Sequence, residues 1–140
     1  MNNTPMVAIS KRQKTVECST YGSEMIAARM AVELLIEWRY KLTMLGLKVE
    51  DKSWLVGDNM AVILSTTLPS SNLKKKHLAC NYHKIREAVS SFLVFGHIDT
   101  KLNVADMCTK PLDNSTFSNV AWLYLFRKPK CLVEATRKET

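Results

Sequence analysis

The chain has 140 residues, 46% hydrophobic and 24% charged, with a formal net charge of +7 and a pI of about 9.3. That length fits one globular domain, and no uncharged apolar run approaches the roughly 18 residues of a membrane span, so no membrane partner is expected. The cysteines at 18, 80, 108 and 131 form no Cys-x-x-Cys pair, so reduced thiols are expected rather than structural zinc or a disulfide framework.

Residues 1–10 precede Lys11, Arg12 and Lys14 and lack the basic-then-apolar order of a secretory signal. An intracellular chain, in cytoplasm or nucleus and not secreted, is expected. Residues 6–9 read as the end of a strand, and 15–18 as short and extended. A helix is predicted over 21–45: Arg29, Glu33, Glu37 and Lys41 recur every four residues as a polar stripe, with Ala31, Leu35, Trp38 and Leu42 opposite. Ser19 or Thr20 can cap its start, and Gly46 stops it.

Residues 53–56, Ser-Trp-Leu-Val, read as a buried strand, and 59–66 as a short helix. A basic run, Lys74, Lys75, Lys76 and His77, leads into a helix over 78–90. Residues 92–98 are a second clear strand, 103–109 a short helix that Pro111 terminates, and 115–126 a last helix. The order is α/β. Only about three strands are visible, and the first is barely present. That is thin for so many helices and suggests a chain that starts inside a domain. Residues 1–126 are read as one partial domain and 127–140 as a polar tail.

Three carboxylates stand in unusual positions. Glu24 falls within about 20° of Ala31, Leu35 and Leu42 on the helical wheel, which puts an acid at the start of the apolar face. An acid in the first turn is also favoured by the helix dipole. Asp58 follows a buried strand, where ligands gather in α/β folds, and it could equally be an N-cap. Asp106 lies just past the second strand and could form a capping box with Asn103. Together, one acid on an inward helix face and two past strand ends can converge on one edge of a compact sheet. Clustered carboxylates need cations to stay ionised together. Oxygen ligands favour magnesium or manganese, and a pair of such ions can cleave phosphodiesters.

Four short motifs, in order and in register, resemble the ribonuclease H domain of copia-type retrotransposon Pol polyproteins. They are Ser19-Thr20-Tyr21-Gly22-Ser23-Glu24, Val56-Gly57-Asp58-Asn59-Met60-Ala61-Val62, Lys76-His77 with Tyr82-His83-Lys84-Ile85-Arg86-Glu87, and Asn103-Val104-Ala105-Asp106 with Thr109-Lys110-Pro111-Leu112. The resemblance runs from about Val7 to Phe126. It implies a ribonuclease H-like fold, a mixed sheet with flanking helices, here with its first strands missing. It also implies cleavage of the RNA strand of an RNA–DNA hybrid with two Mg2+ (or Mn2+) ions, and a place beside the reverse transcriptase region of the same polyprotein. Glu24, Asp58 and Asp106 match three of the family's four acidic ligands. No residue here matches the first aspartate, which in the family usually bridges both metals. Metal binding is therefore expected to be weak or absent, and the chain alone to be little active or inactive. The loop 98–102 also lacks the mobile histidine of many ribonucleases H.

Lys11, Arg12, Lys74, Lys75, Lys76, Arg86 and Lys110 are candidate phosphate contacts, with Lys110 favoured for its place beside Asp106. Any one of them could instead be an ordinary solvated side chain. His77 and His83, with Cys80 between, have poor spacing for zinc. The alternatives are a non-catalytic basic module that binds nucleic acid or docks on reverse transcriptase, and a degenerate reading frame without selected function.

Overall fold

The computed structural model describes residues 7–11, 13, 17, 19–73 and 75–124, the side chains of 119 and 122–124 excepted. Of these, 13–99 form one compact unit, and 7–11 with 100–124 the other. The expected polar tail over 127–140 lies outside the described residues.

The larger unit begins with α1 (Thr20–Met44). Ser19 is its N-cap, in extended conformation, and its side chain accepts from the Gly22 N–H at 3.2 Å. The polar stripe forms ion pairs one turn apart, Arg29 with Glu33 at 3.2 Å and Lys41 with Glu37. Gly46 ends the helix at φ 77°, a left-handed conformation that suits glycine.

After β1 (Ser53–Gly57) come α2 (Met60–Thr67), a 3-10 turn (Lys76–Leu78), α3 (Ala79–Ser91) and β2 (Leu93–His97). The two strands pair in parallel, Ser53 opposite Leu93 and Gly57 opposite His97. Parallel neighbours need a long crossover, and α2 with α3 supplies it. The core of this unit joins Met25, Ala28 and Val32 of α1, Val62 and Ile63 of α2, Tyr82, Ile85 and Ala88 of α3, and Leu93 and Phe95 of β2. Each large side chain in it contributes roughly 1.5–3 kcal/mol by leaving water.

Two arginines fasten loops to this core. Arg39 donates to the carbonyls of Val49 and Asp51 (2.8 Å each) and to Ser53 Oγ (2.9 Å), with its guanidinium over the Phe92 ring. Arg86 donates to the Leu68 carbonyl at 2.8 Å and lies over Tyr82. Tyr82 in turn donates to the Ser71 carbonyl at 2.7 Å.

Among the described residues the sheet has two strands, paired in parallel. Residues 7–10 are exposed and form no strand. A four-residue apolar run has no ladder of its own, and a strand exists only with a partner. The region 15–18 falls mostly on residues outside the description.

In the smaller unit a 3-10 turn (Thr100–Leu102) and α4 (Asp106–Thr109) precede α5 (Asn114–Tyr124). Asp113 caps α5. Its carboxylate accepts from the Ser115 hydroxyl and from the backbone N–H of Ser115 and Thr116, both at 3.1 Å. The Ser115 hydroxyl, followed by Thr116, holds this carboxyl well below the usual carboxylate range. Val120 and Ala121 are buried.

Candidate metal and nucleic-acid site

Asp58 follows the last residue of β1 and is partly buried. The Gly57 carbonyl accepts from the Ile98 N–H at 2.9 Å, so the strand pairing continues right up to this aspartate. A side chain at Gly57 would come within 3.3 Å of the Phe95 ring, so glycine lets the aromatic pack beneath this strand end. The capping role that Asp58 could have had belongs to Asn59. The Asn59 amide oxygen accepts from the N–H of Ala61 at 3.1 Å and of Val62 at 3.3 Å. Among the described residues, Asp58 has no hydrogen-bond or ion-pair partner.

Glu24 does not lie on the inward face of α1. It is exposed, while Gly22, Met25, Ala28 and Val32 are buried. The packed stripe is centred between Met25 and Val32, roughly 90° round the helix from Glu24. The wheel drawn through Ala31, Leu35 and Leu42 misplaced that centre, because those three side chains are only half-buried. Glu24 and Asp58 belong to the same compact unit.

Asp106 belongs to the smaller unit, as the first residue of α4. No capping box forms. The Asn103 side chain accepts from the Ala105 N–H at 3.2 Å, and α4 has no side-chain cap. Both oxygens of Asp106 instead accept from Lys110 Nζ, one turn on, at 3.0 and 3.1 Å. The Asp106 side chain is 13% exposed against 55% for Lys110, so the lysine covers the acid from the solvent side. Among the described residues, no three His, Cys, Asp or Glu side chains group together as a metal site.

The basic candidates divide. Lys11 and Lys76 are exposed. Lys75 is half-buried, with its ammonium donating to Ser19 Oγ at 2.5 Å and lying 5.7 Å from the centre of the Tyr21 ring. Arg86 is occupied by loop carbonyls. Lys110 is on Asp106. Arg12 and Lys74 lie outside the described residues. The sequence offered no signal for Arg39 and Arg86 as loop clamps, because their partners are backbone carbonyls, which every residue carries.

No family model and no solved structure matches the chain. Among curated proteins it is 32% identical over 124 residues to the retrovirus-related Pol polyprotein from transposon RE1 of Arabidopsis thaliana. It is 32% identical over 122 residues to that from transposon RE2 of the same plant. These matches take in 86% and 85% of the chain but 8% of each relative. No helix among the described residues is long and apolar enough to cross a membrane. The chain is thus similar, over most of its length, to a short segment of retrovirus-related Pol polyproteins.

Proposed function

We propose that the chain is a segment of a retrotransposon Pol polyprotein, and that this segment is a ribonuclease H acting on the RNA strand of RNA–DNA hybrids. The observation that carries the reading is Asp58. It stands partly buried at the carboxyl end of a parallel strand, where α/β folds place their ligands. It has no structural partner among the described residues, and its neighbour Asn59 does the capping. A carboxylate that packing and capping do not account for is a candidate for chemistry.

Glu24, Asp58 and Asp106 would hold divalent magnesium or manganese. The donor set is all oxygen, as those ions require. The fit is uneven: Asp58 is open, whereas Asp106 would first have to release Lys110. When bound, such ions supply an activated water and neutralise the leaving oxygen. Lys110, once displaced from Asp106, is placed to meet a phosphate, and Lys11 and Lys76 would add sequence-independent contacts to the backbone. The resemblance calls for a fourth acid that no residue here matches, so the 140-residue polypeptide alone is expected to cleave little or nothing.

A second reading is favoured by the Lys110–Asp106 pair. In it the chain is a basic module that binds nucleic acid, or docks on reverse transcriptase, without cutting. Assay of an RNA–DNA hybrid with magnesium and with manganese separates the two. Under the nuclease reading the chain binds manganese through its carboxylates, and any trace of cleavage is lost in Asp58→Asn. Under the second reading it binds the hybrid with no metal dependence.

A further inference from the structure

The side-chain pair Asp106–Lys110 is not what closes the turn of α4. The backbone does that: the Lys110 N–H donates to the Asp106 carbonyl at 2.9 Å, and the Cys108 N–H to the Ala105 carbonyl at 3.1 Å. The Thr109 hydroxyl adds a bond to the Ala105 carbonyl at 3.2 Å. Lys110 is already extended, at φ −131° and ψ 143°, and Pro111 follows it. Every one of these bonds survives if the Lys110 ammonium swings away. The side chains are thus a second, replaceable layer. One ammonium covers both oxygens of Asp106. The acid is largely buried while the lysine is more than half exposed. The carboxylate is therefore the fixed partner, and the lysine, on its flexible four-carbon stem, is the mobile one.

We propose that Lys110 is a stand-in cation: it holds Asp106 until a divalent ion takes the carboxylate, and it then moves to a phosphate of the bound nucleic acid. This rests on the reading of Asp106 as a metal ligand. A divalent ion and an ammonium repel one another at a single carboxylate, so loading of the ion displaces the lysine. The ammonium is a compact point charge that serves a phosphate as well as a carboxylate. Metal at Asp106 and phosphate at Lys110 therefore favour each other. The linkage is reciprocal: the ion tightens the hybrid, and the hybrid tightens the ion. Its size is bounded by the strength of the pair that is exchanged. A partly exposed pair one turn apart is weak, so the linkage is roughly two- to fivefold.

The test uses the 140-residue chain, Lys110→Met, Lys110→Arg and Lys101→Met, all at one ionic strength. Mn2+ alone is titrated first and read at the Asp106 carboxyl resonance. Lys110→Met should load Mn2+ roughly two- to fivefold more readily than the unaltered chain. Lys101→Met removes the same charge elsewhere in the smaller unit and should change little, because salt screens charges more than about 8 Å apart. Affinity for a fluorescent RNA–DNA hybrid is then measured by anisotropy with and without Mn2+. The gain in affinity on adding Mn2+ should be roughly two- to fivefold larger in the unaltered chain than in Lys110→Met, and Lys110→Arg should retain it. Equal loading of Asp106 in Lys110→Met and the unaltered chain would overturn the proposal and leave the metal reading standing. So would an equal gain in hybrid affinity, which would mean that the ion itself bridges to the phosphate. An Asp106 resonance untouched by Mn2+ in every chain would overturn both.

Discussion

Asp58 and Asn59, adjacent at the end of β1, divide the work of the strand–helix junction. The Asn59 side chain caps α2 through two N–H groups at 3.1 and 3.3 Å, and the Asp58 carboxylate takes no part. The two residues should therefore respond oppositely to substitution. Asn59→Ala should cost about 1 kcal/mol, the usual effect of losing an N-cap. Asp58→Asn should stay within about 0.5 kcal/mol of the unaltered chain in stability while removing its contribution to metal binding. Urea unfolding of the two variants checks the first half, and manganese titration the second.

Arg39→Lys should destabilise the larger unit by roughly 1.5–3 kcal/mol, the range for hydrogen bonds to a charged group. A lysine cannot reproduce the fork that reaches the Val49 and Asp51 carbonyls and Ser53 Oγ at once. Denaturant unfolding gives the magnitude. Amide exchange should show the loss concentrated in the 49–53 loop and the start of β1.

Ile85 is fully buried where α3 meets α1 and β2. Ile85→Val should cost about 0.5–1.5 kcal/mol and Ile85→Ala about 2–5 kcal/mol, the latter enlarged by the cavity it leaves. Thermal melts of both variants test whether the cost scales with the volume removed.

The depressed acidity of Asp113 makes the start of α5 pH-sensitive. Its folded-state value lies below the ordinary one. Its contribution to stability is therefore present in full above the ordinary carboxylate range and is lost as the pH falls through that range toward the folded value. The Ser115 and Thr116 amide resonances should hold steady from neutral pH down through the usual aspartate titration and move only in stronger acid. In Asp113→Ala this movement should vanish, and α5 should fray at all pH values.

Binding to an RNA–DNA hybrid should weaken steeply with salt, as phosphate contacts release counterions. Lys76→Ala should weaken affinity and flatten the salt slope by about one unit. Arg86→Ala should act mainly on stability, because its guanidinium holds the Leu68 carbonyl.

Much of the helical structure was legible because its signals are local. The four-residue charge stripe, Ser19 and Gly46 delimit α1 to within a residue, and the apolar runs around Trp54 and Val94 mark both strands. Glu24 was misplaced because a wheel weights every apolar residue alike. Burial is decided by what packs against the helix, and here that is Met25, Ala28 and Val32 rather than Ala31 and Leu42. Asp58 and Asp106 each had two readings, because cap and ligand carboxylates occupy the same places in sequence. The Asn59 amide and the Asn103 side chain show that neither acid acts as a cap, and the ligand role stays a proposal. The sheet was least legible, since pairing depends on residues far apart along the chain.

Broadening by Mn2+ of the side-chain carboxyl resonances in the 140-residue chain tests most directly whether Glu24, Asp58 and Asp106 share a metal. The proposed function predicts weak binding in which all three fade together, ahead of surface acids such as Glu33 and Glu50, and that Asp58→Asn removes the effect from the other two. Broadening spread evenly over all the acids, or an Asp106 resonance that stays sharp on Lys110 while the others fade, would contradict it.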